Sequence, residues 1–326
     1  MASITTSLII PTFNRASMLH QALDAIAASE FDFDRLEVTV VDDGSDDETG
    51  CIRSRHFPFS LKYLYQDNCG DAVARNRGTQ VSCGDFLIFV DDDVLVSPSS
   101  LKNLQRDHPA REGVILLGNL VHTSPSEAER AAPGDGVSAA QSASSVRFTE
   151  CNSGLMAMRR EDFFRIGMWQ PLPVKGSSVW CDVDFAYRAH IAGFTFIKLA
   201  DAVGIHVDDH LSSIETKSRR MFRAARDGVL LFQRHPGLQE LLPMFTDKSG
   251  VRWGMDPFEL TVRKVLRPVT SSSVVMTLLL VLLKLASRSI RNPGPANAVE
   301  RWVIGGYIYR GYRQGLKDFG PIPAEG

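Results

Sequence analysis

The chain has 326 residues, of which 44% are hydrophobic and 23% are charged, and its formal net charge is −2. These fractions indicate a folded globular protein rather than a disordered one, and the small net charge gives no reason to expect a nucleic-acid partner. The charge is uneven, because residues 251–326 carry 11 Lys+Arg against 5 Asp+Glu, whereas the first 250 residues have a net charge of −8. This asymmetry predicts an acidic body followed by a basic tail.

The cysteine pattern and the first residues indicate a reducing compartment. No Cys-x-x-Cys pair occurs, and the N-terminus has no basic segment ahead of a long apolar one. An odd number of scattered cysteines argues against a disulfide framework or a structural zinc site, and the missing signal pattern argues against secretion. We therefore expect a cytoplasmic protein. The cysteines are Cys51, Cys69, Cys83, Cys151 and Cys181.

Four short apolar segments in the first hundred residues predict β-strands. They cover residues 7–12, 36–41, 61–65 and 86–90, and helical patterns lie between them. Strands that alternate with helices at this spacing form βαβ units, so we expect a mainly parallel sheet flanked by helices. The run at 86–90 is apolar throughout, which is typical of a strand buried on both faces.

Polar side chains follow three of these strands at the point where each strand ends. The clusters are residues 12–15, Asp42 with Asp43, and residues 91–93. Open α/β sheets bind ligands at the carboxyl ends of their strands, and Asp91 and Asp93 can face one divalent cation. A solvated acidic loop or helix cap is the alternative for the triplet alone. Because three clusters meet at one sheet edge, we favour a binding site.

The C-terminal region contains an apolar segment at residues 274–283. It is too short to span a bilayer alone, which takes about 20 apolar residues. Arg263, Lys264 and Arg267 precede it, and Trp302 follows with several tyrosines. The segment is either a buried core helix or an interfacial helix on an anionic membrane, and the basic and aromatic flanks favour the membrane. We therefore expect peripheral contact with the cytoplasmic face of a membrane.

Six ordered motifs between residues 5 and 235 resemble the family 2 glycosyltransferases, which have the GT-A fold. They are Pro-Thr-Phe-Asn-Arg at 11–15, Val-Asp-Asp-Gly-Ser at 41–45, Asn-Cys-Gly at 68–70 with Ala-Arg-Asn-Arg-Gly at 74–78, Gly-Asp and Phe-Val-Asp-Asp-Asp within 84–93, Asn-Ser-Gly at 152–154, and Trp-Cys-Asp-Val-Asp at 180–184. The resemblance implies a GT-A α/β domain with a C-terminal helical extension.

The resemblance also implies an activity. It is the inverting transfer of a sugar from a UDP-, dTDP- or GDP-sugar to a hydroxyl of a glycan or lipid-linked acceptor, with Mn²⁺ or Mg²⁺ as the cofactor. Asp182 matches the second residue of the family's Glu-Asp pair and is the candidate catalytic base. Cys181 stands where the family has glutamate, which puts the geometry of the acceptor in doubt. Asp184 is expected to pair with Arg188 at i+4 instead.

The remaining site residues are assigned by the same resemblance. His206 is the expected third metal ligand beside Asp91 and Asp93, with His210 as a rival. The expected nucleotide contacts are Pro11, Thr12, Asn14, Arg15, Asp42, Asp43, Asn68, Gly70, Arg75, Asp91 and Asp92. The expected acceptor contacts are Asn152, Gly154, Trp180 and Cys181.

Three functional domains and two other functions complete the sequence-based expectations. Residues 1–115 are expected to bind the nucleotide sugar, 116–235 to bind the acceptor and catalyse transfer, and 236–326 to form a helical extension. A nucleotidyltransferase using Mg²⁺ and a nucleoside triphosphate is the alternative, although such enzymes usually have a glycine-rich loop after the first strand. A catalytically inactive sugar-nucleotide-binding protein is a further alternative. The Gln-x-x-Arg-Trp motif of processive synthases is missing.

Overall fold

The computed structural model describes residues 5–107, 112–123, 143–174, 179–207, 213–289 and 294–323. The chain forms two compact units, Met1–Asp209 and His210–Gly326. The predicted functional boundary after residue 235 lies 26 residues after this division and stays a prediction. The two units are described separately below.

The first unit is built on a nine-stranded sheet. The sheet order is β3-β2-β1-β4-β8-β6-β9-β5, and β7 pairs with β9. The strands are β1 (Thr6–Thr12), β2 (Leu36–Asp42), β3 (Ser60–Tyr65), β4 (Phe86–Val90), β5 (Val94–Val96), β6 (Val114–Thr123), β7 (Ala143–Val146), β8 (Leu155–Arg159) and β9 (Thr195–Val207).

The four strands predicted for the first hundred residues are confirmed as β1 to β4. They pair in parallel, and every residue of β1, β2 and β4 is buried, as expected for strands covered on both faces. The register sets Thr12 opposite Asp42, and the same direction brings the end of β4 to this edge. The polar clusters that follow β1, β2 and β4 therefore lie at one edge of the sheet.

The second half of the sheet is mixed in direction. β8 runs antiparallel to both β4 and β6, whereas β9 is parallel to β6 and antiparallel to β5 and β7. β9 is one continuous strand of 13 residues. The C-terminal end of β9 returns to the edge of the sheet where the polar clusters lie. There His206 pairs with Val94, just after the Asp91–Asp93 triplet.

In the described part of the first unit, five helices connect the strands and cover the sheet. Their apolar faces close a core built on Leu8, Ile10, Val38, Val40 and Ile88, which are all fully buried. A second, aromatic cluster lies around Phe89, where Trp169 meets its ring edge-on at a centroid distance of 5.5 Å. The helices are α1 (Ala16–Ala27), α2 (Asp71–Val81), α3 (Ser100–Asp107), α4 (Arg160–Ile166) and α5 (Cys181–Ile191).

The second unit is helical in its described residues. Its helices are α6 (Ile214–Arg234), α7 (Leu238–Leu241), α8 (Phe258–Thr270), α9 (Ser273–Ser289) and α10 (Gly294–Phe319). α10 packs closely on α6, since a Cβ atom at Gly311 would collide with the backbone oxygen of Phe222. Among the described residues no single helix is long and apolar enough to cross a membrane, although Phe258–Thr270 and Ser273–Val281, bent by 90°, pass such a test together.

Candidate functional site

The ends of β1 and β4 are joined by hydrogen bonds around Asp92. Thr12 Oγ1 donates to Asp92 Oδ2 at 2.8 Å, and Arg15 Nη1 donates to Asp92 Oδ1 at 3.0 Å. The same Arg15 nitrogen lies 2.5 Å from Asp93 Oδ2. Arg15 thus connects two neighbouring carboxylates, while Asp92 is only 6% exposed. Three predicted nucleotide contacts, Thr12, Arg15 and Asp92, are brought together here.

Arg75 forms a second charged cluster at the same edge. It lies on α2, is 3% exposed, and donates from Nη2 to Asp91 Oδ1 at 2.5 Å and from Nη1 to Asp71. Its guanidinium also lies over the ring of Trp169, 5.5 Å from the centroid. Two anions and an aromatic face therefore hold one buried cation. Asp71 and Trp169 were not predicted as site residues, although Asp71 is four residues before Arg75, the spacing of a helical ion pair.

The three adjacent carboxylates do not have the same protonation behaviour. Burial raises the pKa of Asp91, although Arg75 opposes this shift. Burial also raises the pKa of Asp92, to about 6, against the influence of Arg15. Burial raises the pKa of Asp93 as well, but His206 and Arg15 lower it by more, so it lies below its ordinary value. Among the three, Asp93 is the one most strongly held in its charged form.

His206 on β9 reaches the triplet from the opposite side to Arg15. Its Nε2 atom lies 3.1 Å from Asp93 Oδ1, and its Nδ1 atom lies 2.9 Å from Nδ1 of His122. The two imidazole rings are perpendicular, and the residues are register partners on β6 and β9. His122 was not predicted, because only the pairing of β6 with β9 brings it next to His206. The rival ligand His210 lies outside the described residues.

The three expected metal ligands do not form a ready-made metal centre. Within the described ranges there is no group of three or more His, Cys, Asp or Glu side chains arranged to hold a metal ion. The physical reason is that guanidinium groups occupy the carboxylates, Arg75 on Asp91 and Arg15 on Asp93.

The donor atoms nevertheless fit a hard divalent cation. Asp93 Oδ1 is buried, and His206 Nε2 lies 3.1 Å from it. Asp91 Oδ2 faces Gly154, where a Cβ atom would lie only 3.1 Å from that oxygen. Carboxylate oxygens and an imidazole nitrogen suit Mg²⁺ or Mn²⁺. Asp91, Asp93 and His206 are therefore chemically able to hold the cation once the arginines release the two carboxylates.

Asp182, the candidate base, lies in the first turn of α5. Its Oδ1 atom accepts a hydrogen bond from the backbone N–H of Val183 at 2.8 Å, and the side chain is half-buried. Burial raises its pKa, the Val183 N–H lowers it, and the nearby charge of Asp71 raises it again. Asp91 also contributes, which shows that Asp182 lies within electrostatic range of the triplet. A carboxylate with a raised pKa is a stronger proton acceptor once it is ionised.

The residue before this helix has an unusual backbone. Trp180 has φ of 77°, in the left-handed region that large residues rarely adopt. Such strain is found most often where a functional site requires one backbone geometry. Its neighbour Cys181 is 2% exposed, and burial raises the pKa of its thiol to about 12. Contact of Cys181 with the acceptor stays a prediction.

The expected nucleobase contacts, Asp42 and Asp43, hold neighbouring loops. Asp43 is 4% exposed, and its two oxygens accept from Gln66 Nε2 at 2.6 Å and from the N–H groups of Cys69 at 2.9 Å and Gly70 at 2.7 Å. Both of its oxygens are therefore already bonded. Asp42 is bonded in the same way: it accepts from the Ser45 N–H at 2.8 Å and from the Tyr63 hydroxyl at 2.5 Å.

The β1 and β2 loops are also joined directly. Asn14 has φ of 53°, donates its N–H to Ser45 Oγ at 2.8 Å, and accepts from the Asp46 N–H at 2.9 Å through its side chain. Of the other expected nucleotide contacts, Pro11 is buried within β1 and Asn68 is exposed on the loop that Asp43 holds.

Two expected acceptor contacts adjoin the carboxylate triplet. Asn152 Oδ1 accepts from the Gly154 N–H at 2.7 Å, and the Gly154 carbonyl accepts from the Asp91 N–H at 3.2 Å. The turn that contains them therefore packs against the end of β4. Residues that follow β4 and residues that precede β8 therefore lie together at this edge of the sheet.

Residues 7–164 match the model of Glycosyl transferase family 2. This part of the chain belongs to glycosyltransferase family 2. Validoxylamine A glucosyltransferase of Streptomyces hygroscopicus subsp. jinggangensis is 36% identical over 115 residues, which are 34% of this chain and 27% of that protein. The glycosyltransferase AglE of Haloferax volcanii is 29% identical over 61% of this chain and 66% of that protein. The chain thus spans about a quarter of the length of the first relative and two thirds of the second.

Two solved structures share the fold. The mannosyltransferase PcManGT from Pyrobaculum calidifontis, in complex with GDP-Man and Mn²⁺, has a TM-score of 0.58 at 19% identity over 96% of this chain and 87% of that one. S. aureus TarS 1–349 with UDP-GlcNAc has a TM-score of 0.51 at 18% identity over 96% of this chain and 92% of that one. The predicted GT-A fold is confirmed, with the mixed sheet described above.

Proposed function

We propose that this chain, whose residues 7–164 match the family 2 model, is an inverting, metal-dependent glycosyltransferase. It moves a sugar from a nucleotide-diphosphate sugar to a hydroxyl of a glycan or lipid-linked acceptor. The observation that carries the proposal is the charged edge of the sheet, where Asp91 and Asp93 lie between Arg75, Arg15 and His206. The similar solved structures hold GDP-Man with Mn²⁺ and UDP-GlcNAc, which supports a nucleotide-sugar donor.

Each charged group at this edge has a task in such a transfer. Asp91, Asp93 and His206 would hold the cation, which when bound neutralises charge on the departing diphosphate. Arg15 and Arg75 can donate charge-assisted hydrogen bonds to phosphate oxygens. These guanidinium groups therefore bind the donor's diphosphate and leave the carboxylates to the cation.

Asp182 removes the proton of the acceptor hydroxyl as the oxygen attacks the anomeric carbon. Its raised pKa, which results first from burial, favours proton uptake. Attack on one face and departure of the diphosphate on the other invert the anomeric centre. The base has to act from the acceptor side of the site. Gly154 lies against Asp91, and Trp180 directly precedes the helix that carries Asp182.

Replacing the base tests this assignment. Asp182→Asn keeps the size of the side chain but removes its basicity, so we expect sugar transfer to fall roughly 10²–10⁴-fold. Titration calorimetry with Mn²⁺ and UDP, GDP or dTDP should show nearly unchanged nucleotide binding. Asp85→Asn, at an exposed carboxylate next to β4, is the matched control and should transfer sugar at the wild-type rate.

Three outcomes would contradict this assignment or identify one of the two alternative functions. Loss of nucleotide binding in Asp182→Asn would show that Asp182 is not simply the base. Release of pyrophosphate from a nucleoside triphosphate and a sugar phosphate would identify a nucleotidyltransferase instead. A wild-type chain that binds nucleotide but neither transfers nor hydrolyses the donor would be the inactive binding protein.

The place of action is part of the proposal. We propose that the chain works in the cytoplasm, at the cytoplasmic face of a membrane, where a lipid-linked acceptor would be presented. The net charge of +6 in residues 251–326 supports this location, because anionic lipids attract basic segments.

A further inference from the structure

Helix α8 directs two of its three basic side chains, Lys264 and Arg267, into the second unit. Lys264 is 6% exposed, and its Nζ atom donates to Asp256 Oδ2 at 2.7 Å and to the Gly250 carbonyl at 3.1 Å. Arg267 donates to Asp247 Oδ2 from Nη2 at 2.5 Å and from Nε at 3.1 Å. Both cations are therefore paired on the inner side of the helix. A helix of a protein surrounded by water ordinarily has the opposite arrangement.

The outer side of α8 carries an apolar stripe, next to the exposed side chains of Glu259 and Arg263. Phe258 is 84% exposed, Val262 38%, Val265 52%, Leu266 47% and Val269 64%. These residues follow one another at helical spacings of four, three, one and three, so they form a single stripe along the helix. The apolar face of α8 therefore points to solvent rather than into the second unit.

The segments on either side of the stripe in the chain also expose apolar residues. Trp253 and Met255, just before α8, are 78% and 76% exposed, and Val274, Leu278 and Val281 on α9 are 71%, 58% and 49% exposed. Contiguous exposed apolar surface of this kind marks an interaction site, whereas scattered single residues do not. We use the term apolar ridge for these five residues together with the five of the α8 stripe.

We propose that the apolar ridge docks into the headgroup region of an anionic membrane, with α8 lying in the plane of the interface. Interfacial helices have this combination of an apolar stripe and adjoining basic residues. Arg263 is exposed at the edge of the stripe, and Trp302, which lies under the Arg267 guanidinium at 5.4 Å, is 47% exposed. Tryptophan at this boundary is typical of membrane interfaces.

The charge of this region favours lipid over a second copy of the chain. Residues 251–326 carry 11 basic against 5 acidic side chains. Two copies that met through this region would bring like charges together, whereas anionic headgroups would attract it. The occupant that the charges support is therefore a lipid surface.

The test measures flotation of the purified full chain with vesicles of phosphatidylcholine, with and without phosphatidylglycerol. We expect the chain to float with the anionic vesicles. A triple variant, Phe258→Ser, Val262→Ser and Val269→Ser, should lower the partition coefficient at least about tenfold, because it removes apolar surface from the interface. Ile191→Ser, at a 66% exposed apolar position of the first unit, is the matched control and should float like the wild type.

A second measurement uses the fluorescence of Trp253, which belongs to the apolar ridge. Trp253 fluorescence should shift to the blue with anionic vesicles and be quenched by brominated lipid, and Trp253→Phe should lose most of this quenching. Wild-type protein that floats with neither vesicle, or a folded triple variant that floats like the wild type, would overturn the proposal. A wild-type dimer that the triple variant converts to monomer without lipid would assign the ridge to self-association.

This inference deepens the proposed membrane location, but its test does not require sugar transfer. The triple variant should retain nucleotide binding and donor hydrolysis in solution, because its three positions lie in the second unit. Lost flotation with intact donor hydrolysis supports both proposals. Intact flotation in a chain without any transfer or hydrolysis would overturn the enzymatic proposal and leave the membrane surface standing.

Discussion

Neighbouring carboxylates at the end of β4 differ because their surroundings differ. Burial dominates the pKa of Asp92 and raises it to about 6, whereas His206 and Arg15 together keep the pKa of Asp93 low. Two adjacent negative charges would repel each other in a buried site. Below about pH 6, Asp92 and Asp93 together therefore carry less negative charge than two ionised carboxylates would.

The raised pKa of Asp92 predicts a pH-dependent effect on stability. A carboxyl group whose pKa is higher in the folded state binds more protons when folded, so its contribution to stability is lost as pH rises through about 4 to 6. Asp92→Asn removes this titration. Relative to wild type, the free energy of unfolding of the variant should increase by about 2–3 kcal/mol between pH 4 and 7.

Urea denaturation at several pH values measures this difference. Asp46→Asn, at an exposed carboxylate of the β2 loop, serves as the control variant. A difference between Asp92→Asn and wild type that is constant over this pH range would show that burial of Asp92 does not control its titration.

The site residues that sequence could predict are those next to a recognisable strand end. Thr12, Asp91 and Asp93 follow apolar runs, so their position at the sheet edge followed from the pattern alone. His122 has no such signal, because it meets His206 only through the pairing of β6 with β9. The loop-holding role of Asp43 depends on donors 23 to 27 residues away, which local patterns do not reveal.

At the scale of elements, α2 is joined to the segment that leads toward α5. The Asn76 side chain donates to the Trp169 carbonyl at 2.8 Å and accepts from the Trp169 N–H at 3.0 Å. Met168, next to Trp169, has φ of 58°, and its carbonyl accepts from Arg188 Nη2 at 2.7 Å. Two helices therefore hold one strained turn, and the expected pairing of Arg188 with Asp184 is confirmed.

Removing the Asn76 side chain should loosen this turn. Asn76→Ala leaves the polar backbone groups of Trp169 without their partner, so we expect a loss of about 1–3 kcal/mol in the free energy of unfolding. Hydrogen exchange of the Trp169 amide should become faster. Gln80→Ala, at an exposed position of the same helix, should leave both quantities unchanged, and equal effects of the two variants would contradict the assignment.

Elements that a continuous apolar segment of sequence specifies could be predicted, whereas elements that depend on long-range strand pairing could not. β1, β2 and β4 are continuous apolar segments bounded by turns, so their existence and direction could be inferred from the order of residues along the chain. The antiparallel placement of β8 between β4 and β6 could not, because it depends on long-range pairing. The single strand β9 spans a polar interruption at residues 198–201 that a periodicity pattern divides in two.

At the scale of the whole molecule, the near-zero net charge hides two opposite charges along the chain. The first 250 residues have a net charge of −8 and the last 76 a net charge of +6. Salt should therefore weaken the electrostatic attraction between the basic C-terminal region and an anionic surface. Screening shortens the range of electrostatic attraction from about 10 Å at 0.1 M salt to about 3 Å at 1 M.

Raising the NaCl concentration from about 0.1 M to about 1 M should therefore weaken flotation with anionic vesicles. Residual binding at high salt reports the apolar ridge, which salt does not screen, and it should disappear in the triple ridge variant. Binding that is insensitive to salt would show that basic residues take no part in the attraction.

The bonds made by Asp43 have a consequence for the thermodynamics of binding. Its carboxylate accepts hydrogen bonds from Gln66, Cys69 and Gly70, so the backbone of this loop is ordered in the chain alone. A nucleotide that meets this loop would lose its own freedom but would not have to restrict that of the loop. If the proposed nucleotide binds there, this edge would be a preformed receptor, and conformational entropy would oppose binding less than it would at a flexible loop.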